Sequence, residues 1–211
     1  MTKKARVLVL EGLDRTGKDT LARRFSENAV FEFKHNNFDI NLHREYYDIT
    51  RSNMKSDNKE FVSRITNAMA ISEYMQLLGF IKRYVGYGYD DFVVPRLFPS
   101  TIVFDAVRGA ALTRLEEVIL EIKKRFEEEN DIEISMRLFT MFVQPQTMIE
   151  RGSTKDSFEI KNYDKIAFHF AKYSERERLV HRVFEKALIA NVDDMTIDEV
   201  YELAENFLFQ S

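Results

Sequence analysis

The segment VLVLEGLDRTGKDT, residues 7–20, constrains this chain more tightly than any other. Val7 to Leu10 is a continuous apolar run rich in β-branched residues, which predicts a strand buried on both faces of a parallel sheet. Gly12, Gly17 and Lys18 follow with the spacing G-x-x-x-x-G-K, and a helical pattern runs from Thr20 to about Asn28. Strand, glycine loop and helix in that order are the context that makes this spacing specific. Glycine reaches dihedrals that let backbone N–H groups converge on packed negative charge, and the helix N-terminus adds its positive end. Lys18 then puts an ammonium between the β- and γ-phosphates of a bound triphosphate, where charge shifts during transfer. The motif predicts an ATP site made by Gly12, Asp14, Arg15, Thr16, Gly17, Lys18, Asp19 and Thr20. The plain alternative is a glycine turn that merely joins a strand to a helix.

The residue after Lys18 departs from the usual pattern. A serine or threonine hydroxyl normally stands there to bind magnesium, whereas this chain has Asp19, with Thr20 one place later. Asp19 and Thr20 are the expected residues at Mg2+, Asp19 holding the ion directly or through water and Thr20 donating to the α-phosphate.

Beyond the loop, the apolar pattern alternates between strand and helix. Ala29 to Lys34 predicts a short strand and Phe92 to Val94 a buried one. Between them, Glu60 to Tyr84 predicts a long helix with Phe61, Ile65, Ala68, Ile71, Met75 and Leu78 on one face. Thr101 to Ala111 fits a strand by composition and a helix by its place after Pro99. Leu112 to Asn130 predicts a helix striped by Leu115, Ile119, Ile122 and Phe126. Arg137 to Val143 reads as a strand, Pro145 to Arg151 as a short helix and Gly152 to Lys161 as a polar loop. A helix through about Lys186, a strand over Ala187 to Asn191 and a terminal helix capped by Thr196 complete the series. Residues 36–58 are polar and without period. The alternation predicts an α/β fold, a parallel sheet flanked by helices in three layers. A single domain over residues 1–211 is expected, since 211 residues with 45% apolar content fill one core.

Composition removes several function classes. Acids and bases nearly cancel at a net charge of −4, so no global basic field exists to hold a nucleic-acid backbone. The absence of cysteine excludes disulfides, thiolate zinc sites and a cysteine nucleophile. His35, His43, His169 and His181 are too scattered for a metal-site spacing. Basic residues precede the first apolar run as in a signal peptide, but the run stops at Glu11, and no stretch reaches bilayer-spanning length. The expectation is a soluble cytoplasmic protein with no membrane partner.

The stretch EGLDRTGKDT resembles the start of thymidylate kinases, and GKDT resembles bacteriophage deoxynucleoside monophosphate kinases. Three further segments fall in the order that this family requires. PRLFPST resembles its Asp-Arg motif with a trailing serine or threonine pair, matching Arg96, Ser100 and Thr101. LFTMFVQPQTMIERG resembles the strand, proline and arginine that lead into a mobile lid, here about residues 151–161. ALIANVDDMTIDEVYELA resembles the closing strand, the loop that packs on adenine, where Asn191 and Asp193 fall, and the terminal helix. The resemblance implies a P-loop fold of the nucleoside monophosphate kinase type with a short lid. It also implies that Arg15 stabilises the transferring phosphoryl group, as in members whose lid lacks arginine; GSTKDSFE has none. A guanidinium meets spread oxygen charge with paired planar donors, so the physics agrees. Asp14 matches the acid that contacts the sugar 3′-hydroxyl, with a loop-capping role as its alternative.

Pro95 stands where the family has an aspartate before Arg96. Arg96 can still bind an acceptor phosphate from the end of its strand, the edge where ligands gather in open α/β sheets; a surface arginine is the alternative. Lys18, Arg15 and Arg96 are thus the expected catalytic residues. Arg64, Met69 and Tyr74 on the long helix are candidates for the base pocket, although aromatic and methionine side chains at helical spacing are more often core. Lys155 in the lid can reach a phosphate or simply be solvated, and Arg176, Arg178 and Arg182 read as ion pairs on an exposed helix face. Asp39, Glu45 and Asp48 are acids that could replace the one missing at Pro95. The leading expectation is ATP-dependent phosphorylation of a deoxynucleoside monophosphate, thymidylate or a related pyrimidine, with small-molecule partners and a homodimer left open. The alternatives are a nucleoside acceptor, a hydroxymethylated pyrimidine in DNA, or a nucleotide-driven switch with Thr101 to Asp105 as its second metal motif.

Overall fold

The computed structural model describes residues 2–28, 30–33, 59–110, 114–175 and 183–209. Five strands form one sheet in the order β2-β3-β1-β4-β5: β1 (Lys3–Gly12), β2 (Phe31–Glu32), β3 (Asp91–Pro95), β4 (Ile132–Phe142) and β5 (Lys186–Asn191). All pairs are parallel, and β1 lies in the middle between β3 and β4. Its apolar run is therefore covered on both faces, and Val7 to Leu10 have no exposed surface. Parallel strands need crossover connections, which here are helices that cover the sheet.

The helices are α1 (Lys18–Ser26), α2 (Lys59–Val85), α3 (Phe98–Arg108), α4 (Leu115–Asn130), α5 (Pro145–Glu150), α6 (Phe158–Lys161), α7 (Tyr163–Ser174) and α8 (Ile197–Phe209). α1 packs on α8 along one face, while α2, α3, α4 and α7 form the opposite layer. The three-layer α/β expectation holds. The C-terminal ends of β1, β3 and β4 open at one edge, where the glycine loop, Arg96 and the turn after β4 meet.

Several local readings change. Thr101 to Ala111 is helical as far as Arg108, because Pro99 in the first turn and a left-handed Gly109 cap fix both ends. The stripe expected on α2 is turned around the axis: Phe61 and Met75 are 45% and 57% exposed, while Val62, Ala70, Tyr74, Leu77 and Ile81 are buried. This helix carries apolar residues on every side, so spacing alone left its buried face undetermined. The polar stretch Gly152 to Lys161 contains the short helix α6, capped by Ser157, whose hydroxyl accepts from the Ile160 N–H. Helix α7 ends at Ser174 and Lys186 already belongs to β5; Arg176, Arg178, Arg182, His181 and the segment 36–58 with Asp39, Glu45 and Asp48 lie outside the described residues.

Candidate active site

The loop between β1 and α1 shapes one end of a cleft of about 440 Å³. Gly12 sits at φ +126°, tight against the Met141 carbonyl of β4, and Gly17 sits at φ +94° with open space beside it. Gly17 offers α1 no side-chain cap, so N–H groups of the first turn face the cleft without a side-chain acceptor. Lys18 is folded under the loop: its ammonium donates to the carbonyls of Gly12 (3.1 Å) and Leu13 and to the Thr16 hydroxyl (3.1 Å). Thr16 donates in turn to the Leu13 carbonyl, closing the loop on itself. Burial, with the charge of Arg96 nearby, lowers the Lys18 pKa to about 7. The carboxylates of Glu11, Asp14 and Glu159 pull the other way, so desolvation outweighs them.

Arg96 enters the cleft from the end of β3. Its N–H extends the ladder to the Leu10 carbonyl at 2.8 Å, and its backbone is held at φ +66°. A bulky side chain in that region is uncommon and is retained where the surroundings over-determine it. Its guanidinium pairs with Asp14, so two residues proposed from separate motifs meet across the cleft. Arg15 also has positive φ, at 63°, and its guanidinium lies beside Gly152. Asp19 and Thr20 are exposed on the first turn of α1 and line the same cleft.

Two acids organise these cations, and sequence reasoning named neither for the site. Glu11 is wholly buried at the end of β1, where its carboxylate accepts from the N–H groups of Leu97 (2.9 Å) and Ser100 (3.3 Å) and from the Ser100 hydroxyl. It caps α3 from another element and positions Arg96 just before it. Burial raises the Glu11 carboxyl above its ordinary pKa, and the Ser100 hydroxyl and Arg96 oppose that shift. A charge at the end of an otherwise apolar buried strand was the available signal, since such a group must find partners. The second acid is Glu159 of α6, whose carboxylate accepts from the Asp14 N–H and lies 3.7 Å from Arg96. Arg151, from the turn after α5, also reaches the loop and donates to the Arg15 carbonyl at 3.1 Å.

Other predicted residues lie elsewhere. Ser100, expected at the substrate, gives both its N–H and its hydroxyl to Glu11. Tyr74, expected in the base pocket, is fully buried with its hydroxyl 3.6 Å from the Met136 sulfur; the turned face of α2 puts it in the core. Arg64 is exposed on α2 and pairs with Glu60 at 3.7 Å. Asn191 accepts from the Asp193 N–H, and Asp193 accepts from the Gln144 N–H at the start of α5. These two order the loop after β5 instead of facing the cleft, whose apolar wall is made by Met141, Val192, Met195, Ile197 and Val200. Lys155 is exposed.

Solved structures share this arrangement of elements. Thymidylate kinase from Candida albicans aligns with a TM-score of 0.58 at 12% identity, over 96% of this chain and 90% of that one. Deoxyadenosine kinase from M. mycoides with bound dCTP aligns with a TM-score of 0.55 at 14% identity, over 96% and 98% of the two chains. The same enzyme with dCMP and a flexible dCDP gives 0.58 at 14% identity over the same shares. The chain has the fold of these nucleotide kinases. No family model and no curated protein sequence matches it. Within the kinase fold, no helix among the described residues is long and apolar enough to cross a membrane. No cluster of three or more acids or histidines among those residues forms a metal cage.

Proposed function

We propose that this chain transfers the γ-phosphoryl group of ATP to a deoxynucleoside monophosphate, thymidylate or a related pyrimidine deoxynucleotide. The observation that carries the reading is the meeting of the Gly12 to Lys18 loop and Arg96 in one cleft, with Asp14 bridging them. Loop N–H groups and Lys18 hold the β- and γ-phosphates, and the apolar wall of Met141, Val192 and Met195 takes the purine ring. Arg15 stabilises the transferring group and Arg96 holds the acceptor phosphate. Asp19 and Thr20 would hold magnesium, which when bound would neutralise phosphate charge. An acceptor phosphate oxygen bonds to the γ-phosphorus as the bond to the β–γ bridging oxygen breaks, and ADP leaves. A phosphate whose second pKa is about 6 is already ionised at neutral pH, so this acceptor needs no base at Pro95. Thymidylate kinase among the structural neighbours supports a monophosphate acceptor.

A nucleoside acceptor is favoured by one observation: Glu159 stands beside Arg96, where it can take the proton a hydroxyl must lose. The switch reading loses its second motif, because Asp105 lies on α3 and is held by Ser63 at 2.7 Å and by Arg108. The test is incubation with ATP, magnesium and, separately, each deoxynucleoside monophosphate, each deoxynucleoside and hydroxymethylated DNA. Deoxynucleoside diphosphate formed with equal ADP supports the proposal. ADP without a phosphorylated acceptor counts against it.

A further inference from the structure

The Glu159 carboxylate sits against two donors of the site. It comes from α6, beyond the turn after β4, yet it bonds the Asp14 N–H of the phosphate loop and stands 3.7 Å from the Arg96 guanidinium. A backbone N–H beside a guanidinium is an anion-binding pair, the kind of donor set that receives phosphate elsewhere. The contact is not a passing surface encounter, since the Glu159 side chain is only 13% exposed. The neighbouring Phe158, 44% exposed, contributes: it lies against Phe104 with ring centroids 6.2 Å apart and has the Arg108 guanidinium 5.6 Å from its ring. Burial raises the pKa of the Glu159 carboxyl, Arg96 and the Asp14 N–H oppose that shift, and the charge of Asp14 adds to it.

Resting on the reading of Arg96 as the ligand of the acceptor phosphate, we propose that Glu159 is a specificity-determining internal anion that an acceptor phosphate must displace. Carboxylate and phosphate cannot share the Asp14 N–H and Arg96, because two like charges in contact repel strongly. A phosphorylated acceptor therefore binds with α6 moved off the loop, whereas an unphosphorylated nucleoside leaves Glu159 in place. Glu159 thus lowers affinity for monophosphates, limits how long they stay, and couples their arrival to movement of the 151–161 segment.

The test is calorimetric titration of the four common deoxynucleoside monophosphates and the matching nucleosides into wild-type and Glu159→Gln protein saturated with a non-hydrolysable ATP analogue. Glutamine keeps an oxygen to accept from Asp14 and removes the charge. Glu159→Gln should bind the preferred monophosphate roughly tenfold more tightly, from loss of one charge about 5 Å from a dianion, and bind nucleosides as wild type does. Phe158→Ala, which loosens α6 without touching Arg96 or Asp14, should move monophosphate affinity the same way. Equal or weaker monophosphate binding by Glu159→Gln overturns the inference while leaving the kinase reading intact. Failure of both proteins to bind any monophosphate, with the ATP analogue still bound, overturns the acceptor role of Arg96 and the inference with it. With ATP in place of the analogue, a loss of nucleoside phosphorylation of a hundredfold or more in Glu159→Gln, at unchanged binding, makes Glu159 a base and also overturns it.

Discussion

Gly12→Ala and Gly17→Ala place the same methyl group at two ends of one loop and should damage different properties. At Gly12 an added Cβ would stand 2.0 Å from the Met141 carbonyl oxygen and 3.0 Å from its carbon, at a φ of +126°. Gly12 pairs with Met141 at the end of the β1–β4 ladder, so relief requires parting the two central strands at the mouth of the cleft. The dihedral alone costs about 1–3 kcal/mol. Losing one or two ladder hydrogen bonds at about 1 kcal/mol each brings the total to about 2–5 kcal/mol, a large share of a domain stability of about 5–15 kcal/mol. At Gly17 nothing lies within 4 Å, and the positive φ of +94° leaves only backbone strain, about 1–2 kcal/mol. If that open space receives the polyphosphate as proposed, Gly17→Ala should lose roughly a hundredfold in ATP affinity, the worth of one or two charge-assisted hydrogen bonds. Urea denaturation and titration with a fluorescent ATP analogue read the two effects separately. A Gly12→Ala protein within about 1 kcal/mol of wild type, or undiminished ATP affinity in Gly17→Ala, would refute this account of the loop.

Glu11→Ala should destabilise by about 2–4 kcal/mol, because it leaves the Leu97 N–H and the Ser100 hydroxyl without their acceptor, while the Ser100 N–H keeps the Leu97 carbonyl at 3.1 Å; urea denaturation measures it, and a loss below about 1 kcal/mol contradicts the capping role. Lys18 has a folded pKa of about 7 against an ordinary 10.5, so the unfolded chain takes up a proton that the fold refuses. Stability of the nucleotide-free protein should fall as pH drops from about 10 to about 7 and level off below, and ATP binding near pH 8 should take up close to one proton. Calorimetry in two buffers of different ionisation enthalpy checks this, and binding heats that do not depend on buffer would speak against it. Arg15→Ala should lower turnover by a hundredfold or more while changing ATP affinity only a few-fold, as expected of a group acting in the transition state; equal losses in both would remove that role.

What the sequence made legible follows from how local each signal is. β1, the glycine loop and α1 were readable because Val7 to Leu10 and the glycine spacing decide their conformation without distant partners. The parallel α/β plan followed from alternation. The buried face of α2 was not readable, since an all-round apolar helix is oriented by what it packs against, and Tyr74 went into the core for that reason. Glu11 and Glu159 were missed as site residues because their partners are far away in sequence: Ser100 and Leu97 for one, Asp14 and Arg96 for the other. Ser100 and Asp193 were placed by motif position, but their hydrogen bonds turn them away from the cleft. Arg96 and Asp14 were each found from their own motifs, and only the three-dimensional arrangement joined them in an ion pair.

The most direct measurement compares wild type with Lys18→Met in following the γ-phosphate of labelled ATP onto the preferred deoxynucleotide. Transfer by wild type with one ADP per phosphorylated acceptor, and a loss of a hundredfold or more in Lys18→Met, is the expected result. Transfer that survives the removal of this ammonium, or hydrolysis of ATP with no acceptor labelled, would contradict the assignment of the Gly12 to Lys18 loop as the seat of phosphoryl transfer.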